Sequence, residues 1–422
     1  MAYSSHPQPA FSVLIVGCGL SGLASALALS QAGHNVTVFE RSAQLQEIGA
    51  GLQLAPNATR LLQSWGVLEE VLKYADRPEA ATFRSYEGEV VSQSPPVSDK
   101  KLVGEFPYIV MHRADLLRAL LSGTSKHKIV LKLDSDVTEI DFNRPSLRLS
   151  SGEIYEADMI LGADGERSRC RGSLLGRLDP PYSPGDVVYR VSVPTKDIKQ
   201  DNIAWVLQSR SSVNVWMGPG GHVVTYPIQH DMLNVVLVYE EGTSGETMYG
   251  PQKVDLEEFR SNISGWDPVL HELIGMEGCV CTKWTMFQIH EVDQWHHDSG
   301  RFLLIGDAAH AILPCLAQGA AQAFEDAGVL GGIFSQSVQL DQIPDALRVF
   351  EEVRKPRASA VRHRTLDQKA MFGMADGPDR VRRDANLRAG ADHELFKWLW
   401  EHDATESGRE AWKSFLEAPK HG

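Results

Sequence analysis

Cysteine is scarce and scattered: the 422-residue chain carries five, at Cys18, Cys170, Cys279, Cys281 and Cys315. An odd number at wide spacing argues against a disulfide framework and fits a reducing compartment. Cys279 and Cys281 are spaced C-x-C, so the C-x-x-C redox motif is missing, and no Cys/His cluster has zinc spacing. No metal site is expected. Positive charge is also in deficit, with 41 Lys and Arg against 55 Asp and Glu and a net charge of −14. That balance disfavours nucleic acid or an anionic membrane as partner, and an anionic ligand would need a local Arg or Lys. Missing too is a basic leader. The apolar run 11–29 has no Lys or Arg before it, the first being Arg41, and glycines interrupt it. A signal peptide requires a positive n-region, so the expectation is a cytoplasmic protein. Internal repeats and long low-complexity segments are absent.

What is present begins with "FSVLIVGCGLSGLASALALSQAGHNVTVFER" (11–41), which follows a polar leader read as disordered over 1–10. The pattern reads strand (12–16), glycine turn, helix (21–32) and second strand (35–40), a βαβ unit. Gly17, Gly19 and Gly22 form G-x-G-x-x-G between strand and helix. The first two glycines permit a tight turn and close approach of a pyrophosphate. The third lets helix and strand pack closely, while the helix N-terminus supplies N–H donors. Glu40 ends the second strand, where a carboxylate can accept hydrogen bonds from ribose hydroxyls. A dinucleotide site follows, for either FAD or NAD.

Further along, 76–102 looks extended and "HRADLLRALLSG" (112–123) helical. Between 180 and 281 lie β-type runs at 187–193, 202–207, 213–217, 222–228 and 233–239, read as an antiparallel sheet. From 342 the pattern is predominantly helical. The expected fold is α/β: a Rossmann-like nucleotide domain (1–75, 103–180 and 280–341) interleaved with a β-sheet substrate domain (76–102 and 181–279). A C-terminal helical region (342–422) completes it.

Two later motifs decide the cofactor. Asp164-Gly165 follows an apolar strand in "ADMILGADGERSRCR", and Gly306-Asp307 follows another in "RFLLIGDAAHAILPCLAQGA". Together with the glycine fingerprint they resemble the flavoprotein aromatic hydroxylases, single-component FAD monooxygenases of the p-hydroxybenzoate hydroxylase fold. The nearest branch is the salicylate hydroxylase-like one common in fungi. The resemblance spans nearly the whole chain, including "GAGLQLAPNATRLLQSWGV" (49–67) and "FEEVRKPRASAV" (350–361). It implies FAD, NADH or NADPH as co-substrate, and O2. It also implies cofactor contacts at Gly17, Gly19, Leu20, Gly22, Glu40 and Arg41, at Gly51, Gln53, Arg113, Val137 and Asp164, and at Asp307, Pro314, Gly319 and Ala320. Asp307 would take the ribityl hydroxyls, and the helix opening at Gly319 would face the flavin pyrimidine. Ala317 departs from the family, where glycine is frequent.

On the substrate side, Arg190 in "VVYRVSVP" resembles the pocket arginine of the salicylate and polyketide branches. In "GPGGHVVTYPI" (218–228), His222 and Tyr226 share a strand face about 13 Å apart. In the hydroxybenzoate hydroxylases a His and a Tyr so spaced bind the phenolic oxygen. The expected reaction is hydroxylation of a phenolic ring through a C4a-hydroperoxyflavin, with decarboxylation where the attacked carbon bears a carboxylate. His222 is the expected base with a pKa near ambient. Other readings are a polyketide-type phenol hydroxylase and a non-catalytic FAD sensor; a flavin halogenase lacks its W-x-W-x-I-P signature here. The expected partner is a small aromatic substrate, the expected assembly a monomer or homodimer. Trp216 is read as pocket wall or core, Arg167, Arg169 and Arg171 as anion-binding or solvated, the Arg354–Arg364 basic cluster as a solvated helix face, and "FKWLW" (396–400) as helix packing or a dimer contact.

Overall fold

The computed structural model describes residues 10–45, 51–93, 105–196, 203, 205–206, 212–229, 231–242, 247–391 and 393–419. Residues 1–9 of the polar leader and residues 49–50 of the "GAGLQL" stretch lie outside them. Five short strands form a wholly parallel sheet in the order Phe302–Leu304, Met159–Gly162, Ser12–Val16, Asn35–Phe39, Ile129–Lys132. Its central strands are near-continuous apolar runs because both faces are covered, as a parallel sheet requires. The Leu20–Gln31 helix, buried through Leu20 and Gly22–Leu29, packs against the Gly319–Phe334 helix. Phe324, Leu330 and Ile333 of the latter join Leu23, Leu27 and Ile15 in one core.

An eight-stranded sheet stands beside this core, in the order Gln252–Lys253, Val280–Thr285, Asp186–Pro194, Met232–Glu240, Gly221–Ile228, Ser212–Gly218, Ala80–Ser85, Val90–Gln93. All its pairings are antiparallel except that of Ser212–Gly218 with Ala80–Ser85. The alternation of a strand divides its residues between two faces. On one face Val187, Tyr189, Val191, Val223, Val235 and Leu237 pack under Phe259, Leu270 and Ile274 of two short helices. The opposite face, with Arg190, His222, Val224, Tyr226 and Val236, is turned toward the nucleotide-side core.

Two expectations change and a third, left between two readings, is decided. Val280–Thr285 belongs to the eight-stranded sheet, which moves it out of the nucleotide-side segment 280–341. Ile203, Trp205 and Val206, the described part of the run read as a strand at 202–207, are helical. Ile203 and Val206 are both buried in the sheet's outer core, and a spacing of three serves one helix face. Trp216 is not a pocket wall: it lies fully buried on the outer face and donates from Nε1 to Asp267 Oδ2 at 2.8 Å.

The basic cluster on the Ile343–Phe372 helix is a solvated face only in part: Arg364 is exposed, whereas Arg354 and Arg357 turn inward. Arg354 is fully buried, pairing Nε with Asp326 Oδ1 at 2.7 Å and Nη1 with Glu325 Oε2 at 2.7 Å. Arg357 adds a fork onto Glu325 at 2.6 and 2.9 Å. Burial opposes ionisation of Glu325, but Arg357 and Arg354 outweigh it and hold its carboxyl down at about 2. Asp326 is held down likewise, by His310 and Arg354 against its burial. Arg354→Met should therefore cost roughly 3 kcal/mol or more, since breaking one side of a buried pair strands the other charge. A fall in the urea midpoint at unchanged slope would register it; an unchanged midpoint would contradict it.

Candidate active site

The glycine turn is built by exclusion. Gly17 sits at φ +107, where an added Cβ would lie 2.4 Å from the Ala163 carbonyl oxygen. At Gly22 it would lie 2.0 Å from the Gly17 oxygen, so the helix rests directly on the turn. Gly19 has nothing within 4 Å of that position, leaving its backbone open to a ligand. The helix that follows has no side-chain cap and no acidic residue in its first turn. Its first N–H groups and dipole end are therefore free for an anion.

From this turn a cleft of about 430 Å³ runs past Glu40, Arg41, Val137 and Asp164. Glu40 accepts from Cys18 N at 3.1 Å and Ser42 N at 3.0 Å, which fixes the carboxylate beside the turn. Asp164 accepts from the backbone of Arg169 at 2.7 Å and Cys170 at 3.0 Å, organising the loop after its strand. A second cleft of about 330 Å³ continues from Gly19 and Leu20 to Gly51, Gln53, Asp307, Pro314, Gly319 and Ala320. Arg113 lines both. Asp307 is exposed to the cleft at the first position of its helix, not paired inside the core. The Gly319–Phe334 helix also begins without a side-chain cap or an early acidic residue. Every expected cofactor residue lines one of the two clefts except Gly22, which packs behind the turn.

Behind Asp307 stands the buried network. Asp326 Oδ2 accepts from Gly306 N at 2.7 Å and pairs with His310 Nε2 at 2.7 Å, while Oδ1 takes Arg354. Gly306 has φ +60, and a Cβ there would meet Ser21 Oγ at 2.5 Å, so the turn can close only on glycine. Ala317, one of three described non-glycine residues at positive φ, sits at +53. The departure from glycine at 317 thus retains a left-handed backbone, at a cost of about 1 kcal/mol.

The third cavity, about 450 Å³, shares Gly51, Gln53, Arg113, Tyr226 and Pro314 with the second cleft. Arg190, His222 and Tyr226 all line it. The register gives their layout: Arg190 pairs with Val236, which pairs with Val224, the residue between His222 and Tyr226. Val224 and Val236 form a floor, with His222 and Tyr226 at either side and Arg190 about 10 Å across the strands from Val224. Arg190 lies 5.1 Å from the Trp284 ring centroid. Burial lowers its pKa, Tyr226 opposes that shift and Arg113 adds to it. Burial raises Tyr226 to about 12 against the pull of Arg190 and Asn234.

His222 departs from expectation. It is buried, and desolvation, aided by the Lys369 charge, lowers its pKa to about 3. It is neutral at ordinary pH and is not a base poised near neutrality. Lys369 in turn pairs with the fully buried Asp186 at 2.6 Å. Of the crowded arginines, Arg171 is buried on Asp179 at 2.7 Å and Arg169 pairs with Asp136 at 2.9 Å. Arg167 lines the cleft, 4.4 Å from the Tyr249 ring. Sequence reasoning missed Trp284, Met286 and Phe287 as walls, and Phe372 and Trp400 as pocket residues. Each reads as ordinary apolar patterning along the chain.

Residues 10–365 match the FAD binding domain family. The chain is 33% identical over 410 residues to the FAD-dependent monooxygenase OpS4 of Beauveria bassiana, covering 93% of this chain and 95% of that one. It is 32% identical to the 3-amino-4-hydroxybenzoate 2-monooxygenase PtmB3 of Streptomyces platensis, covering 97% and 100%. A salicylate hydroxylase solved as a substrate complex superposes with a TM-score of 0.79 at 23% identity, covering 95% and 98%, a likeness of fold. The chain belongs to the FAD binding domain family and is an FAD-dependent monooxygenase.

Two substitutions separate packing from ligand approach. Gly22→Ala should give protein that does not retain FAD, because its methyl lies inside the turn. Ala317→Gly should retain FAD and be neutral to stabilising by up to about 1 kcal/mol. Flavin absorbance after gel filtration and thermal melts read both; a yellow Gly22→Ala protein would refute the first.

Proposed function

We propose that this family member hydroxylates a phenolic aromatic substrate of the hydroxybenzoate or salicylate type, using NADH or NADPH and O2. The observation that carries the reading is the placement of Arg190, His222 and Tyr226 around one apolar floor, in a cavity continuous with the flavin-sized cleft. The named aromatic substrates of relatives agree with it: 3-amino-4-hydroxybenzoate for one and 3-hydroxybenzoate for another.

The residues fit FAD along the two clefts. The glycine turn and uncapped helix would hold the pyrophosphate, Glu40 the ribose, and Asp307 the ribityl hydroxyls. The helix N-terminus at Gly319 and Ala320 would favour negative charge on the reduced ring. Bound there, FAD would supply the reduction by NAD(P)H and the activation of O2.

The chain's own part is orientation and charge. Arg190, stripped of water, attracts a carboxylate or phenolate and lowers the pKa of a phenol beside it. Tyr226 keeps its proton at working pH and donates from Oη to the phenolic oxygen. His222, neutral, offers one ring N–H and one acceptor nitrogen, so its role is hydrogen bonding rather than carrying charge. The Val224 and Val236 floor and the Trp284 wall keep water from the ring. A phenolate is the more nucleophilic form, and Arg190 with Tyr226 stabilises it. If the attacked carbon bears a carboxylate, CO2 leaves.

Yellow purified protein showing substrate-stimulated NAD(P)H oxidation and O2 uptake with a hydroxybenzoate panel would support this reading, and product mass would identify the reaction. Colourless protein that FAD cannot reconstitute would refute it. Arg190→Met should raise KM for carboxylate substrates by about 10- to 100-fold, the worth of a charged hydrogen bond. Tyr226→Phe should lower the ratio of product to NAD(P)H consumed.

The pH profile gives a separate check. A pKa lowered to about 3 leaves His222 uncharged from pH 5 to 9, so kcat/KM should show no limb that His222→Gln abolishes. A limb near pH 6.5 lost in that variant would overturn the neutral assignment.

A further inference from the structure

The substrate cavity does not end at His222. A further chamber of about 100 Å³ opens beyond it, sharing Gln53, His222, Val224 and Pro314 with the first. Phe83 and Val215 of the sheet form one wall, Phe372, Phe396 and Trp400 of the C-terminal helices the other. The two chambers differ in charge. Arg113, Arg167 and Arg190 line the first with one acid, Glu166, whereas among the described residues no Lys, Arg, Asp or Glu lines the second. Its Cys315 thiol is kept neutral by burial.

Two polar groups face this apolar space without partners. Gln368 and His222 are both more than nine-tenths buried, the side chain of neither makes a hydrogen bond among the described residues, and their polar atoms are not among those sealed off in protein, so they open onto the cavity. Buried unpaired polar groups are costly and are ordinarily satisfied by ligand or water. A space on the order of 100 Å³ accommodates several waters or about one small ring. A carboxylate there would be desolvated with no cation among the described lining residues, and Lys369, whose charge reaches His222 and Cys315, is already paired with Asp186.

We propose that this chamber is a substrate subsite. The acceptor is a two-part molecule: an oxyanion-bearing ring at Arg190 and Tyr226, and a neutral apolar arm seated among Phe83, Val215, Phe372 and Trp400. The arm carries a hydrogen-bonding atom toward Gln368 or His222. This rests on the reading of the first cavity as the site of ring hydroxylation, and it narrows the substrate class. Unsubstituted hydroxybenzoates would fill only half of the available site.

The test is direct titration of the FAD-loaded protein, followed by flavin absorbance or tryptophan fluorescence. The ligands are unsubstituted hydroxybenzoates and their propanoyl- and pyridyl-substituted positional isomers, whose arms carry a hydrogen-bond acceptor. At least one isomer should bind about tenfold or more tighter than its parent, given roughly fourfold per buried methylene. Val215→Phe and Ala81→Leu, which fill the second chamber alone, should each erase most of that gain and move the parent's Kd far less. Substituted acids that all bind no tighter than their parents, or a gain that survives both fillings, would overturn the proposal. NAD(P)H oxidation is read separately. Parents that stimulate it while arms gain nothing would leave the reaction standing and remove the subsite. A gain in binding with no stimulated oxidation by any acid would do the reverse.

Discussion

The site depends on a carboxylate that touches no ligand. Asp326 is fully buried, and its two oxygens are spent on Gly306 N, His310 and Arg354. Gly306 immediately precedes Asp307, so the position of the cleft-facing carboxylate is set from behind by its buried neighbour. Glu325, the adjacent residue, takes Arg354, Arg357 and Asn57, the last at 2.7 Å from the Pro56–Ser64 helix. Burying two acids is tolerable only when each lone pair is occupied, and here the occupants arrive from three helices and a turn. The network ties these helices and the turn to one another through both acids, with only Asn57 Oδ1 and His310 Nδ1 among its described atoms left without a partner.

The same low-dielectric logic governs the substrate cavity with opposite results. In the network, burial is outweighed by opposite charges and the acids stay ionised. Around the Val224–Val236 floor there is little to outweigh it, so Tyr226 holds its proton and His222 stays neutral. Arg190, disfavoured by desolvation, gains when an anion arrives.

Much of this was legible in the chain. The glycine fingerprint, Glu40, and the Gly-Asp and Asp-Gly segments each sit at fixed offsets from apolar strands, and local geometry makes such signals readable. Arg190, His222 and Tyr226 were found from alternation and resemblance, and the strand register brings them together. What local pattern could not reveal was long-range compensation. Arg354 and Arg357 look like a solvated face because their partners lie about thirty positions earlier, at Glu325 and Asp326. The expected basicity of His222 failed for a related reason. Its pKa is set by burial against Phe372 and by Lys369, both supplied by a helix more than a hundred residues away. Trp216 was ambiguous until pairing with Val223 fixed its face.

The one parallel pairing of the large sheet has a consequence for how the molecule is made. Ala80–Ser85 pairs locally with Val90–Gln93 but joins the rest of its sheet only through Ser212–Gly218, and the parallel sheet gains its edge strand, Phe302–Leu304, only after the whole eight-stranded sheet has been emitted. At about 5–20 residues per second, Met159–Gly162 waits roughly ten seconds or more on the ribosome with an unpaired apolar edge. Neither sheet can be completed from its own contiguous stretch of chain. Fragments cut between them would expose strand edges rather than yield autonomous domains.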